Sequence, residues 1–256
     1  INDALSGFSN NLIWLIGISI MVSMSLNKTG LGARIGYYFI SLFGKKTIGI
    51  AYSLAIAETI LAPVTPSNTA RGGGIIHPIM RSIADSFNSK PEEGTSGKIG
   101  RYLSLVNYNI NPITSAMFIT ATAPNPLIVS LIIGETGPEN ELTWSMWAIA
   151  AFVPAIVSLF LMPIVIYFLY KPEITHTPNA PHFAKERLAQ LGPISLPEKI
   201  TLGVFALLLI MWAGIPALLF GDAFSINATT AAFIGLSILL CTGVLNWDDI
   251  LKNKGA

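Results

Sequence analysis

The chain has 256 residues, of which 52% are hydrophobic and only 11% charged, with a mean hydropathy of +0.61. An ordinary soluble domain is about a quarter charged, so this composition reads as an all-α polytopic membrane protein. The net charge of +1 argues neither for nucleic acid nor for an acidic partner, and the single cysteine, Cys241, excludes a disulfide framework.

The chain starts at Ile1 without a cleavable signal peptide and closes beyond Asn246-Trp247-Asp248-Asp249 in a basic stub. It is read as an internal piece of something longer. Residues 8–26 are almost entirely apolar and long enough to cross a bilayer of roughly 30 Å. Lys28 and Arg34 follow, then the aromatic stretch Tyr37, Tyr38, Phe39 and Phe43 up to Lys45-Lys46, which suits a short amphipathic helix at the interface. Residues 1–46 therefore read as a scaffold span plus an interfacial helix. Gly44-Lys45-Lys46-Thr47 only glances at a phosphate loop, because Phe39 stands where the upstream glycine is needed.

Residues 47–62 and 70–84 form two apolar helical runs of about 22 to 24 Å each, short for full spans. Between them lies Pro63-Val64-Thr65-Pro66-Ser67-Asn68-Thr69-Ala70-Arg71-Gly72-Gly73-Gly74, polar, proline-broken and glycine-rich. The spacing predicts a re-entrant hairpin over 47–84 with this segment at its tip. Residues 85–100 form a hydrophilic loop. From 101 to 133 runs an interrupted membrane helix, with Ser104, Asn107, Asn111 and Ser115 as one polar stripe and Thr120-Ala121-Thr122-Ala123-Pro124-Asn125-Pro126 as its break. The loop 134–143 carries Glu135, Glu139 and Glu141, and Trp144 and Trp147 then anchor a span over 144–170. A polar segment at 171–199 is expected to be helical around 183–191. Spans over about 200–220 and 228–245 then open a further set at 200–256.

With the hairpin re-entrant, every one of the 15 Lys and Arg except Arg71 falls on one face, which the positive-inside rule assigns to the cytoplasm. If 47–84 crossed once, the later basic loops would fall outside.

A membrane helix that stops at mid-depth frees backbone groups that protein, ions or substrate must satisfy. Ser67, Asn68 or Thr69 can cap the helix after the first break, and Asn125 can cap after the second with Pro126 at the first helical position. Two positive helix ends facing each other would suit a ligand with two carboxylates. The bland alternative is that these prolines and glycines only kink helices. Glu58 and Arg71 are the charges placed inside the apolar zone, at depths that antiparallel limbs would match. They read either as an ion pair bracing the hairpin or, more sharply, as Arg71 compensating substrate charge or substituting for a bound cation. His77 reads as a packed neutral histidine rather than a proton carrier. No metal-ligand spacing joins His77, His176 and His182, and no nucleophile or zinc motif appears, so enzyme chemistry has no foothold.

On Ser67-Asn68-Thr69 the chain resembles the divalent anion/sodium symporter family of dicarboxylate and citrate transporters. The likeness extends over Ala4 to Asn10, the Lys28-Thr29-Gly30-Leu31-Gly32 turn, the hairpin and Ala121-Thr122-Ala123-Pro124-Asn125. The form Thr65-Pro66-Ser67-Asn68-Thr69-Ala70-Arg71, followed by Gly73-Gly74, is closest to the branch of citrate/succinate and tartrate/succinate antiporters and plastid 2-oxoglutarate/malate translocators. The resemblance implies an inverted-repeat secondary transporter in which each repeat supplies one hairpin and one broken helix. This chain would then hold half of the substrate site.

The resemblance also implies substrate contacts at Ser67, Asn68, Thr69, Thr122 and Asn125, and a family sodium site that would fall on Ser67, Asn68 and the Ala121 carbonyl. Pro63 stands where that site takes a hydroxyl, and Arg71 lies beside the tip, and both departures favour exchange over sodium coupling. The expected partners are dicarboxylate or tricarboxylate anions, the lipid bilayer and a second copy in a homodimer. The expected location is a bacterial inner membrane ahead of a plastid inner envelope. A sodium-coupled symporter, a non-transporting scaffold or receptor, and an intramembrane hydrolase are the competing readings.

Overall fold

The computed structural model describes residues 10–137, 140 and 142–252. Ala4 to Ser9, Glu139 and Glu141 lie outside the described residues. The described elements are helical, with one isolated bridge between Lys46 and His176.

Helix α1 covers Asn11–Thr29, three residues later at each end than the hydropathy suggested. Asn10 Oδ1 accepts the Leu12 N–H at 2.9 Å and so caps its start. Gly30, at φ 80°, ends it with its N–H on Asn27 O and turns the chain directly into α2, Leu31–Phe43. The buried face of α2 includes Gly32 and Gly36, which let Ile75 and Ile79 pack against bare backbone.

Helix α3, Thr47–Leu61, tightens into a 3-10 turn at Ala62–Val64. After the tip, a π-helical turn, Thr69–Ile76, leads into α4, His77–Ser86. Helix α5 runs Gly100–Met117 and, after a break, α6 runs Pro124–Thr136. Helix α7, Trp144–Leu169, packs against α3 and α5. Helix α8, Ala180–Leu191, meets α9, Leu196–Trp212, at 107°. The span expected over 200–220 is broken: Gly214, at φ 72°, separates α9 from the short α10, Ile215–Phe220. Helices α11, Ala228–Cys241, and α12, Trp247–Lys252, follow. Helix α11 packs on α1 and α9, and Cys241 at its end is exposed.

Three of these helical segments are long and apolar enough to cross a membrane, Asn11–Thr29, Thr47–Val64 and Trp144–Leu169, and the bent pair α8–α9 passes the same test together. Composition and these apolar helices mark the chain as an integral membrane protein. Its basic loops are stitched together at one end. The Thr47 N–H donates to Thr175 O at 3.1 Å and the Thr177 N–H to Lys45 O at 2.9 Å. The Glu173 and Ile174 N–H groups donate to Gly97 O and Lys98 O, both at 3.1 Å. The chain thus enters residues 47–86 and, by Gly97, has come back to the same end of the molecule.

Candidate functional site

Proline and glycine shape the hairpin tip. Pro63 lies inside the 3-10 turn, Thr65 is extended at φ −122°, and helix resumes only at Thr69. The first turns of the second limb are π-helical, a wide geometry that suits the bare Gly72-Gly73-Gly74 backbone. The caps fall where the residue types placed them. Asn68 Oδ1 accepts the Thr69 N–H at 2.8 Å, and Ser67 Oγ accepts the Ala70 N–H at 3.2 Å. The Arg71 N–H donates to Ser67 O at 3.0 Å, so the first three N–H groups of the second limb are satisfied within the tip itself.

At the second break, Phe118 and Thr122 are extended on either side of a 3-10 turn at Ile119–Ala121. Asn125 does not cap the following helix. That helix starts at Pro124, whose fixed φ already suits a first turn, which places Asn125 one position inside. Its amide Nδ2 instead donates to Ser115 O at 2.8 Å and Phe118 O at 2.9 Å, satisfying carbonyls freed at the end of α5. Thr120 Oγ1 donates to Pro63 O and accepts from Trp144 Nε1 at 3.0 Å, while Trp144 stacks on Phe118 with ring centroids 5.7 Å apart. The two breaks are therefore in contact, and an indole from α7 holds the second against the first.

Arg71 is the hub of that contact. Its side chain is fully buried. Nη1 donates to Thr65 O at 2.9 Å and Ala121 O at 3.1 Å, one carbonyl from each break. Nη2 donates to Thr114 Oγ1 at 3.2 Å and Ser115 Oγ at 2.8 Å, and Nε lies 3.5 Å from Glu58 Oε1. Glu58 is equally buried and accepts from Asn111 Nδ2 at 2.6 Å. The second hydrogen of that amide goes to Asn68 O at 3.0 Å. The ion pair expected between the limbs is present, and its arginine is spent entirely on protein groups.

The polar stripe on α5 faces the second limb. Ser104 lies against Met80, Asn107 against Gly72 O, Asn111 against Asn68 O and Ser115 against Arg71. Between stripe and limb opens a cleft of about 630 Å³ lined by Asn68, Thr69, Gly72, His77, Asn107 and Asn111 among others. His77 is exposed there, which corrects its reading as a packed histidine. Thr122 and Asn125 are not among the lining residues, so the five expected substrate contacts are not gathered at one cleft. Ser67 is occupied in capping.

Thr65, Thr114 and Thr120 were missed in the sequence. Thr114 carries a signal, because it follows Asn111 by three residues and shares its helix face. Thr65 acts through its backbone and carries none.

Among the described residues, no group of three or more His, Cys, Asp and Glu could hold a metal ion. The oxygen set expected for sodium does not fit that ion as arranged. Ala121 O faces the Arg71 guanidinium, and the Ser67 and Asn68 side-chain oxygens each accept from a backbone N–H.

The profile of the family described as "Sodium:sulfate symporter transmembrane region" matches residues 1–256. Over 256 residues the chain is 52% identical to the putative malate transporter YflS of Bacillus subtilis (strain 168), covering 100% of this chain and 52% of that protein. It is 43% identical over 253 residues to the chloroplastic dicarboxylate transporter 2.1 of Arabidopsis thaliana, covering 99% and 44%. Inner membrane protein YbhI of Escherichia coli (strain K12) is 39% identical over 251 residues, covering 98% and 50%. The chain spans about half the length of the curated relatives it matches. The family is one of transporters, not of enzymes.

Proposed function

Because the chain belongs to the sodium:sulfate symporter transmembrane-region family, we propose that it forms one half of a secondary transporter that exchanges dicarboxylate anions across a membrane. The names of the malate and dicarboxylate transporters among its relatives support the substrate class. Succinate, malate, 2-oxoglutarate, citrate and tartrate are the candidates, in a bacterial inner membrane ahead of a plastid envelope.

The observation that carries exchange rather than sodium coupling is the Arg71 guanidinium on Thr65 O and Ala121 O. A tethered cation already fills the carbonyl cage that links the breaks, so a sodium gradient has nothing there to load or release. Glu58 balances that charge, so the barrier to an empty return lies in the tip. The polar side chains at its cleft, Asn68, Thr69 and Asn107 among them, must be satisfied before they can pass through a low-dielectric barrier, and a dicarboxylate satisfies them. In this reading Asn68 and Thr69 contact substrate directly, with Ser67, Thr122 and Asn125 shaping the breaks behind them.

The hairpin over 47–84 is read as re-entrant, supported by the shared basic end of Lys45–Thr47 and Gly97–Lys98. An elevator-type movement of the hairpin region against a homodimeric scaffold completes the proposal. Counterflow in proteoliposomes of the intact protein tests it. Labelled succinate should enter only vesicles preloaded with dicarboxylate, at a rate indifferent to sodium. Uptake into empty vesicles driven by a sodium gradient would replace exchange with symport.

A further inference from the structure

On the outer side of the hairpin, away from the cleft, an apolar groove of about 560 Å³ runs between the end of α2, the first limb α3 and helix α7. Leu42, Phe43, Tyr52, Ile56 and Phe160 line it. Tyr52 and Phe160 stack with centroids 6.1 Å apart and are tied by the Tyr52 hydroxyl, which donates to Phe160 O at 2.6 Å. The groove wall is therefore rigid where the two helices meet. At one end the groove is closed by Lys45 and Lys46, both exposed, and neither forms an ion pair among the described residues. No carboxylate lines it.

We propose that this groove is a binding site for one anionic phospholipid, with its acyl chain along α3 and its phosphate on Lys45 and Lys46. Three features select that occupant. The lysines sit at the end of the molecule where the basic loops are bonded together, the level of a headgroup layer. The rise from Lys46 to Ile56 along α3 is about 15 Å, or about half of a hydrocarbon core of roughly 30 Å, which is the depth of one leaflet. The charge is of one sign only, so a zwitterionic headgroup gains less than an anionic one. Because α3 begins at this mouth with no side-chain cap, its positive end adds to the same field.

Thermal unfolding of the intact, delipidated protein, titrated with phosphatidylglycerol or with phosphatidylcholine of identical chains, tests the site. Phosphatidylglycerol should raise the midpoint saturably and at lower concentration than phosphatidylcholine. Replacing both lysines, Lys45→Gln with Lys46→Gln, should weaken its apparent affinity roughly 25-fold, the effect of two lysines at an anionic surface. Lys45→Arg with Lys46→Arg should retain it. Ile56→Trp, which fills the groove below an intact lysine pair, should also abolish the preference, and native mass spectrometry should then find no retained lipid. Equal stabilisation by both lipids, or a preference that survives the Gln pair, overturns the proposal. So does the same shift from inorganic phosphate alone. If the Gln pair fails to fold, the Ile56→Trp and phosphate arms decide.

Discussion

A single guanidinium joins two interruptions that are far apart in sequence, Thr65 O and Ala121 O being bonded to the same nitrogen of Arg71. Taking it out leaves Glu58 buried and unpaired, so Arg71→Leu should destabilise the protein by about 3–5 kcal/mol. The double replacement Glu58→Leu with Arg71→Leu should recover more than half of that loss in the thermal midpoint. Simple additivity of the two changes would mean that the 3.5 Å pair is not coupled. Lysine cannot substitute, since a point-like ammonium lacks the fork that reaches both carbonyls and both hydroxyls. Glu58 and Arg71 were legible in the sequence as a pair because charges in an apolar run are costly. What Arg71 holds was not, because the two groups by which it joins the breaks, Thr65 O and Ala121 O, are backbone carbonyls that no side-chain pattern marks.

At the scale of elements, the close approach of α5 to the second limb depends on Gly72. A Cβ built there would lie 2.6 Å from Asn111 Nδ2, the amide that links Glu58 to Asn68. Gly72→Ala is therefore expected to displace Asn111, to lower the thermal midpoint and to reduce the proposed dicarboxylate exchange of the intact protein about tenfold. Gly73→Ala meets nothing within 4 Å and should fold normally, so the contrast between neighbouring glycines checks the packing directly. Both interruptions and the polar stripe were legible from proline, glycine and spacing, and the helices on either side fell close to their expected ends. The π-helical turn was not, because a run of glycines permits many backbone geometries and tertiary contact with α5 selects one. Asn125 was misplaced for a related reason. Pro124 and Pro126 are both competent to begin a helix, and the choice between them is made by the carbonyls of Ser115 and Phe118.

Across the whole molecule, Arg34 is one of the side chains that tie the early helices to the later ones. It donates to Glu198 Oε1 at 2.6 Å and Oε2 at 3.2 Å, and to Gly192 O at 3.0 Å, clamping α2 to the bend between α8 and α9. Arg34→Ala should lower stability by about 1.5–3 kcal/mol, read as earlier thermal unfolding, while leaving substrate affinity unchanged. A loss of affinity equal to that of a tip variant would show that the clamp reaches the cleft.

The pairing of Glu58 with Arg71 also has an electrical meaning. From the first limb to the end of α4, residues 47–86, the formal charges of Glu58, Arg71, Arg81 and Asp85 cancel, so the proposed shuttle, taken over that segment, moves only the charge of the anion bound to it. Swapping one dianion for another would then move no net charge over a full cycle. Glu58→Gln leaves one uncompensated positive charge on the shuttle, worth about 2.3 kcal/mol for each 100 mV it crosses. The loaded crossing moves the two charges of the dianion in the wild type and one fewer in Glu58→Gln, so an imposed potassium diffusion potential in proteoliposomes should shift the wild-type exchange rate more than that of Glu58→Gln.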